Sequence, residues 1–281
     1  MRHPDVPESL EGWWILHRMF YVSRRAWKAQ GTQRRDASIA QASALLSEFA
    51  ASPQSDVGLA QLLGHKGDLM LTHYAKSVEE LALIQARVDS LDMCEFLTAS
   101  ASYVSVLELG LYEATAKIHR ELSARALKPH SQEWNDAFDA LLSEQAKNPR
   151  NAGRLWARLP KRRYVCFYPM DKKRGETVNW YMLPYEERAR LMLDHGKIGR
   201  SFHGLVTQVI SGSVGYDDWE WGVDLYADDP IIFKKLIYEM RFDEASAKYA
   251  SFGKFYTGVQ FSPEELPAFF GGERIAQLTT V

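Results

Sequence analysis

The chain has 281 residues, 46% of them hydrophobic, enough to bury the core of one large domain or two small ones. Its 34 Lys and Arg against 36 Asp and Glu give a net charge of −2, which speaks against a broad nucleic-acid footprint. Two widely separated cysteines, Cys94 and Cys166, exclude a disulfide framework and fit a reducing compartment.

The start, MRHPDVPES, is polar with no apolar stretch after its charges, so no secretory signal is expected, and no apolar run approaches the roughly 18 residues of a spanning helix. A cytoplasmic protein without a membrane span is expected. Residues 12 to 22, GWWILHRMFYV, are aromatic and β-branched, as in a strand. Helical spacing follows over 34 to 51 through Ile39, Leu45, Leu46 and Phe49. Residues 57 to 75 read as a hairpin turning at 64 to 68, and Ser77 with Glu80 forms a capping box that starts a helix toward Leu91. A strand over 96 to 109 completes a β-α-β-β-α-β order.

Residues 111 to 148 are helical in pattern and rich in charge. The first order then recurs. A strand over 163 to 169 is expected to end at Pro169, and a helix from Pro184 to end on His195 with Gly196 as its cap. Strands over 205 to 212 and 218 to 227 pair across a Gly-rich turn. Asp228, Asp229 and Pro230 open a helix toward Met240, and a strand over 254 to 261 closes the unit. The tail after Phe261 looks irregular. Each half has the ferredoxin-like arrangement, with the sheets expected to pack face to face and helices outside. The expected division is an N-terminal unit over 1–112, a helical linker over 113–160 and a C-terminal unit over 161–281.

Four features carry possible chemistry. His195 shares a helix face with Leu191 and Met192; it either caps its own helix as a cation or binds a metal. No HExxH, His-x-His or CxxC accompanies it, so a bare zinc lacks partners, whereas a haem needs only one protein ligand. Tyr168 alternates with Tyr164 and Cys166 onto one face. It is either an ordinary strand-end phenol or one that gives up an electron and a proton. Lys172, Lys173 and Arg174 form a solvated loop or an anion-binding cluster. Over 212 to 230, alternation puts Trp219, Trp221, Val223 and Leu225 on one face and Asp218, Glu220 and Asp224 on the other. The glycines there lack a following Gly-Lys-Ser/Thr, and GSVG lacks the GxSxG spacing, which excludes a phosphate loop and a nucleophile elbow.

The strings FYPMDKKR, NWYMLPYEER, DHGKIGR, QVISGSVGYDDWEWGVDLYADDP and YEMRFDEASAKYASFGKFYTG resemble the coproheme decarboxylases, the haem-synthesis branch of the chlorite dismutase-like superfamily. The resemblance is strongest over 150 to 260; EGWWILHRMF carries it in the first half. It implies an α+β fold of tandem ferredoxin-like units forming a dimeric α+β barrel, assembled as a homopentamer. It also implies that iron coproporphyrin III (coproheme) binds with His195 as proximal iron ligand. Hydrogen peroxide is the oxidant, and Tyr168 relays the oxidation as a tyrosyl radical to the β-carbon of a propionate. Loss of CO2 leaves a vinyl group, and two rounds give haem b.

Residue by residue, the resemblance makes Tyr168 catalytic and Lys172 the partner of a reactive propionate. Met170 lies at that porphyrin edge, Arg154 and Ser246 bind propionates, Gln208 is the distal amide, and Trp219 lies near the haem. A transient contact with coproporphyrin ferrochelatase is implied as well. Two other readings stay open: a non-catalytic haem carrier or sensor, and a chlorite dismutase. Gln208 disfavours the second, because an amide offers a neutral hydrogen bond where that chemistry uses a distal Arg.

Overall fold

The computed structural model describes residues 5–276. Its first half runs β1 (Ser9–Val22), α1 (Arg24–Lys28), α2 (Thr32–Ala51), β2 (Ser55–Leu62), β3 (Leu69–Ala75), α3 (Val78–Asp89) and β4 (Leu97–Gly110). The Ser77 hydroxyl accepts from Glu80 N–H at 3.2 Å, so the capping signal does start α3. Three helices follow, α4 (Tyr112–Ala124), α5 (Gln132–Lys147) and α6 (Pro149–Leu155). The second half runs β5 (Tyr164–Lys172), α7 (Tyr185–Ser201), β6 (Thr207–Gly212), β7 (Trp221–Ala227), α8 (Ile231–Met240), α9 (Glu244–Ala247), β8 (Ala250–Phe252), β9 (Tyr256–Phe261) and α10 (Leu266–Gly271).

The two halves do not form separate sheets laid face to face. Each has its own order, β4-β1-β3-β2 and β9-β5-β7-β6, and the pairings β2–β9 and β4–β6 join them. Among the described residues this makes one nine-stranded antiparallel sheet in which eight strands close a ring and β8 extends β5. Closure leaves neither half with a free edge there.

The ring sorts alternate side chains in and out. Ile15, Met19, Tyr74, Tyr103, Val165, Phe167 and Tyr226 fill its interior. There His17 Nε2 meets Asp224 Oδ1 at 3.0 Å and stacks on Phe167 at 4.0 Å. The outer face of the first half packs through Leu16, Phe20 and Leu71 on α2 and α3. The tail does not stay irregular: α10 sends Phe269 and Phe270 into this same cluster. The outer face of the second half, carrying Cys166, Tyr168, Val223 and Leu225, packs on Phe233 and Leu236 of α8 and Ile198 of α7. Gly12 admits the linker closely: a Cβ there would run into the Leu155 carbonyl.

Two expected boundaries are corrected. β5 runs through Pro169 to Lys172. On one side its partner is β9 as far as Phe167 and β8 from Met170, so proline falls where the partner changes and no ladder donor is missed. Its carbonyl accepts from Gly253 N–H at 2.8 Å. Likewise α7 does not stop at His195-Gly196 but continues to Ser201. Partial burial of Ile198 against the outer cluster offsets the helix cost of the two glycines, about 1 kcal/mol each. Among the described residues, no helix is long and apolar enough to cross a membrane.

Candidate functional site

Tyr168, Met170 and Gln208 gather on the outer face of the second half's sheet, beneath α7 and α8, with Lys172 at the end of the same strand face. Tyr168 is 5% exposed. Its ring stacks on Phe255 at 4.5 Å and meets Phe252 at 5.9 Å. Burial holds the phenol protonated far above neutral pH, with Cys166 adding to that and Arg241 opposing it. Met170 packs on the same cluster. Gln208, on β6, donates from Nε2 to the Gly199 carbonyl of α7 at 3.2 Å. A Cβ at Gly199 would lie 3.3 Å from that amide, so the glycine lets helix and amide approach.

His195 lies one turn before Gly199, on the face of α7 that carries Ile198. It is inside the helix, so the helix end does not set its field. A carboxylate does: His195 Nδ1 lies 2.8 Å from Asp243 Oδ2. The Ser246 hydroxyl donates to the same oxygen at 2.6 Å and lies 3.4 Å from Nδ1, while Asp243 Oδ1 accepts from Ala245 N–H at 2.9 Å. Burial pushes the Asp243 carboxyl up, but the hydrogen bonds from Ser246 and His195 outweigh it and leave the group below its usual range. An ionised Asp243 makes Nδ1 the donor and leaves the Nε2 lone pair for a metal. Among the described residues, no three His, Cys, Asp or Glu side chains converge as a metal cluster.

Lys172 closes the constellation. It is 8% exposed, with Nζ 3.2 Å from the Ala245 carbonyl and 4.3 Å from the Trp180 ring centroid. Burial pulls its ammonium down from 10.5 to about 8, against the pull of Asp243 and Glu220. Lys172 and His195 thus flank one short element, α9 with its capping Asp243.

Two expected residues lie elsewhere. Trp219 precedes β7, which starts only at Trp221, so strand alternation does not reach it. It packs against the ring's interior cluster and lies about 3 Å from where a Gly253 Cβ would stand. Arg154 sits on α6, which packs on β1, β4 and α5; it is exposed, and among the described residues no carboxylate pairs with it.

Two residues went unassigned in the sequence. Asp243 carried a readable signal, a capping Asp three residues before Ser246. Arg241 did not; its guanidinium carbon lies 3.9 Å over the Phe252 ring centroid and acts on Tyr168.

The family described as Chlorite dismutase matches residues 35–261. The chain belongs to the chlorite dismutase family. Within that family it is 38% identical over 270 residues to a coproheme decarboxylase of Staphylococcus saprophyticus, covering 95% of this chain and 99% of that protein. A solved structure described as a heme-binding protein from Thermus thermophilus is 38% identical, covers 96% of this chain and 100% of its own, and superposes with a TM-score of 0.82. Chlorite dismutase from Candidatus Nitrospira defluvii (R173K mutant) shares the fold, with a TM-score of 0.69 at 17% identity, covering 92% of this chain and 96% of that one. Relatives from Natronomonas pharaonis, Haloquadratum walsbyi and Halobacterium salinarum are longer, and this chain spans 44%, 48% and 52% of them.

Proposed function

We propose that this member of the family is a coproheme decarboxylase, converting two propionates of iron coproporphyrin III to vinyl groups with hydrogen peroxide and yielding haem b. The observation that carries the reading is Tyr168: a buried phenol on the apolar face beneath the His195 helix, four residues from a buried cation. A haem carrier needs the imidazole and the apolar walls but neither of these.

The residues present fit an iron porphyrin with carboxylate arms. One imidazole, oriented by Asp243, would supply the iron's protein ligand. Phe202, Phe233, Phe252 and Phe255 offer apolar surface to a flat ring. Lys172 and Arg241 supply the cations that carboxylates require. The bound iron porphyrin is the substrate and also the source of oxidising power when peroxide reacts with it. The protein's part is placement. Lys172 would hold a propionate beside Tyr168. The phenol, having lost an electron and a proton, would take a hydrogen atom from the propionate β-carbon. Loss of CO2 and one further electron leaves the vinyl, and each round consumes one peroxide. Gln208 offers a neutral amide on the sheet side of the site. Met170 would line the same edge, Ser246 would serve a propionate once released from Asp243, and Arg154 and Trp219 would have to approach from the linker and the loop before β7. Assembly as a homopentamer and contact with a ferrochelatase belong to the same proposal.

The test is direct. Purified protein is loaded with iron coproporphyrin III, titrated with peroxide and followed by mass spectrometry. Stepwise loss of two carboxyl groups is expected in the parent, and Tyr168→Phe should bind the porphyrin yet form no vinyl. Haem b formation at the parent rate in that variant would remove the phenol from the mechanism. A second reading, a haem carrier, is compatible with the Thermus relative's description as heme-binding and predicts that the four-propionate species persists in the parent.

A further inference from the structure

Glu220 immediately precedes β7, and its side chain is only 8% exposed. A carboxylate so shielded needs donors. Its Oε2 accepts from the Lys172 backbone N–H at 3.0 Å and from the Tyr181 hydroxyl at 2.8 Å, and Arg174 Nε lies 3.5 Å from Oε1. Its own N–H donates to Asp171 Oδ1 at 2.7 Å. One side chain thus ties the end of β5 to the segment 173–182 that follows it. Backbone bonds support the same tie: Lys173 N–H donates to the Tyr249 carbonyl at 2.7 Å, and Trp180 N–H to the Lys173 carbonyl at 2.9 Å. The tie therefore fixes the backbone that carries both Lys172 and Trp180, the ring under its ammonium.

The ammonium itself meets a carbonyl and an aromatic face. Two carboxylates act on it from their own elements, Asp243 ahead of α9 and Glu220 ahead of β7. Asp243 already shares its oxygens among His195, Ser246 and Ala245. The other charges nearby, Asp171, Lys173 and Arg174, line with Lys172 a surface cavity of about 400 Å³. Arg174 is 61% exposed, so water screens it.

We infer that Glu220 is a positioning residue for Lys172: it fixes the lysine backbone at the end of β5 and supplies part of the negative field around the buried ammonium. The inference rests on the substrate-binding role proposed for Lys172. Glu220 acts through the lysine and is not assigned a contact with substrate.

A purely structural carboxylate, once neutralised, would weaken the fold without moving the ionisation of Lys172. Four full-length proteins separate the cases: the parent, Glu220→Gln, Tyr181→Phe, and Asp218→Asn as an exposed control beside Glu220. The first readout needs no ligand. Acylation of Lys172 by acetic anhydride is followed by peptide mass spectrometry across pH, since only the neutral amine reacts. The second is the pH dependence of iron coproporphyrin III affinity, read by absorbance. Gln keeps a hydrogen-bond acceptor and removes the charge, so the acylation midpoint should fall by about one pH unit. Tyr181→Phe removes a donor that withdraws charge from Glu220, so its midpoint should rise. Asp218→Asn should leave it in place. Equal midpoints in the parent, Glu220→Gln and Tyr181→Phe would overturn the inference, as would a shift in Asp218→Asn as large as that in Glu220→Gln. Should Glu220→Gln fail to fold, Tyr181→Phe decides alone: a raised midpoint supports the inference and an unchanged one overturns it. A parent that binds no iron coproporphyrin III would sink the substrate role of Lys172, while the acylation midpoints still decide whether Glu220 governs it.

Discussion

Replacing Lys172 by Met should make the ligand-free protein more stable and a poorer binder. The fall of the ammonium from 10.5 to about 8 means that the folded chain holds this charge at a cost of about 3 kcal/mol at neutral pH. Methionine fills a similar channel without that charge. It leaves the Ala245 carbonyl without the Nζ donor, which costs about 1–2 kcal/mol. The net expectation is a gain of about 1–2 kcal/mol at pH 7. The sign reverses with pH in a defined way. Below about 8 the lysine is charged in both states and the penalty is constant. Between about 8 and 10.5 the unfolded chain binds more protons than the folded one, so the parent gains stability as pH rises and the advantage of the variant disappears. Urea unfolding at pH 7 and pH 10, followed by tryptophan fluorescence, measures both. In parallel, the variant should bind iron coproporphyrin III about tenfold or more weakly, the worth of a charge-assisted hydrogen bond. A variant less stable than the parent at pH 7, or a difference that ignores pH, would refute the reasoning.

Other substitutions probe the site and the frame. Asp243→Asn keeps an acceptor for His195 Nδ1 but removes the charge behind it; iron porphyrin affinity should drop about 10–100-fold, with a changed ferric absorption spectrum. An unchanged spectrum would detach Asp243 from the imidazole's function. Gly12→Ala drives a Cβ into the Leu155 carbonyl and should cost about 3 kcal/mol in urea unfolding. The Cys166 thiol, pushed up to about 11 chiefly by burial, should resist alkylation at neutral pH until the protein unfolds. Fast native-state labelling would show that β5 is more open than its packing implies.

Much of the second half was legible because local signals and tertiary demands agree there. The Tyr164, Cys166, Tyr168 alternation puts the last two in the outer cluster, with Tyr164 packed against it, because β5 is flanked by strands on both sides along its length. The reading failed where a local rule met a partner that the sequence does not show. Pro169 should end a strand, but it sits at the switch from β9 to β8. Gly196 should cap a helix, but Ile198 beyond it is needed in the apolar cluster. Alternation counted back to Trp219 failed because the strand starts two residues later.

By itself, then, the sequence determined the order of the main elements in both halves, though not the short α1, α9 and β8, together with the face of β5 that carries Tyr168 and the cation four residues on. These follow from periodicity and capping, which act over a turn or a strand pair. Only the tertiary structure decided that the halves close one ring and that α7 carries His195 in its interior. It also decided that Asp243, 48 residues away, orients that imidazole, and that Glu220, 48 residues past Lys172, holds the lysine backbone. Such pairings rest on side chains that meet through burial, and a carboxylate's partner is set by where the fold shields it rather than by any spacing along the chain.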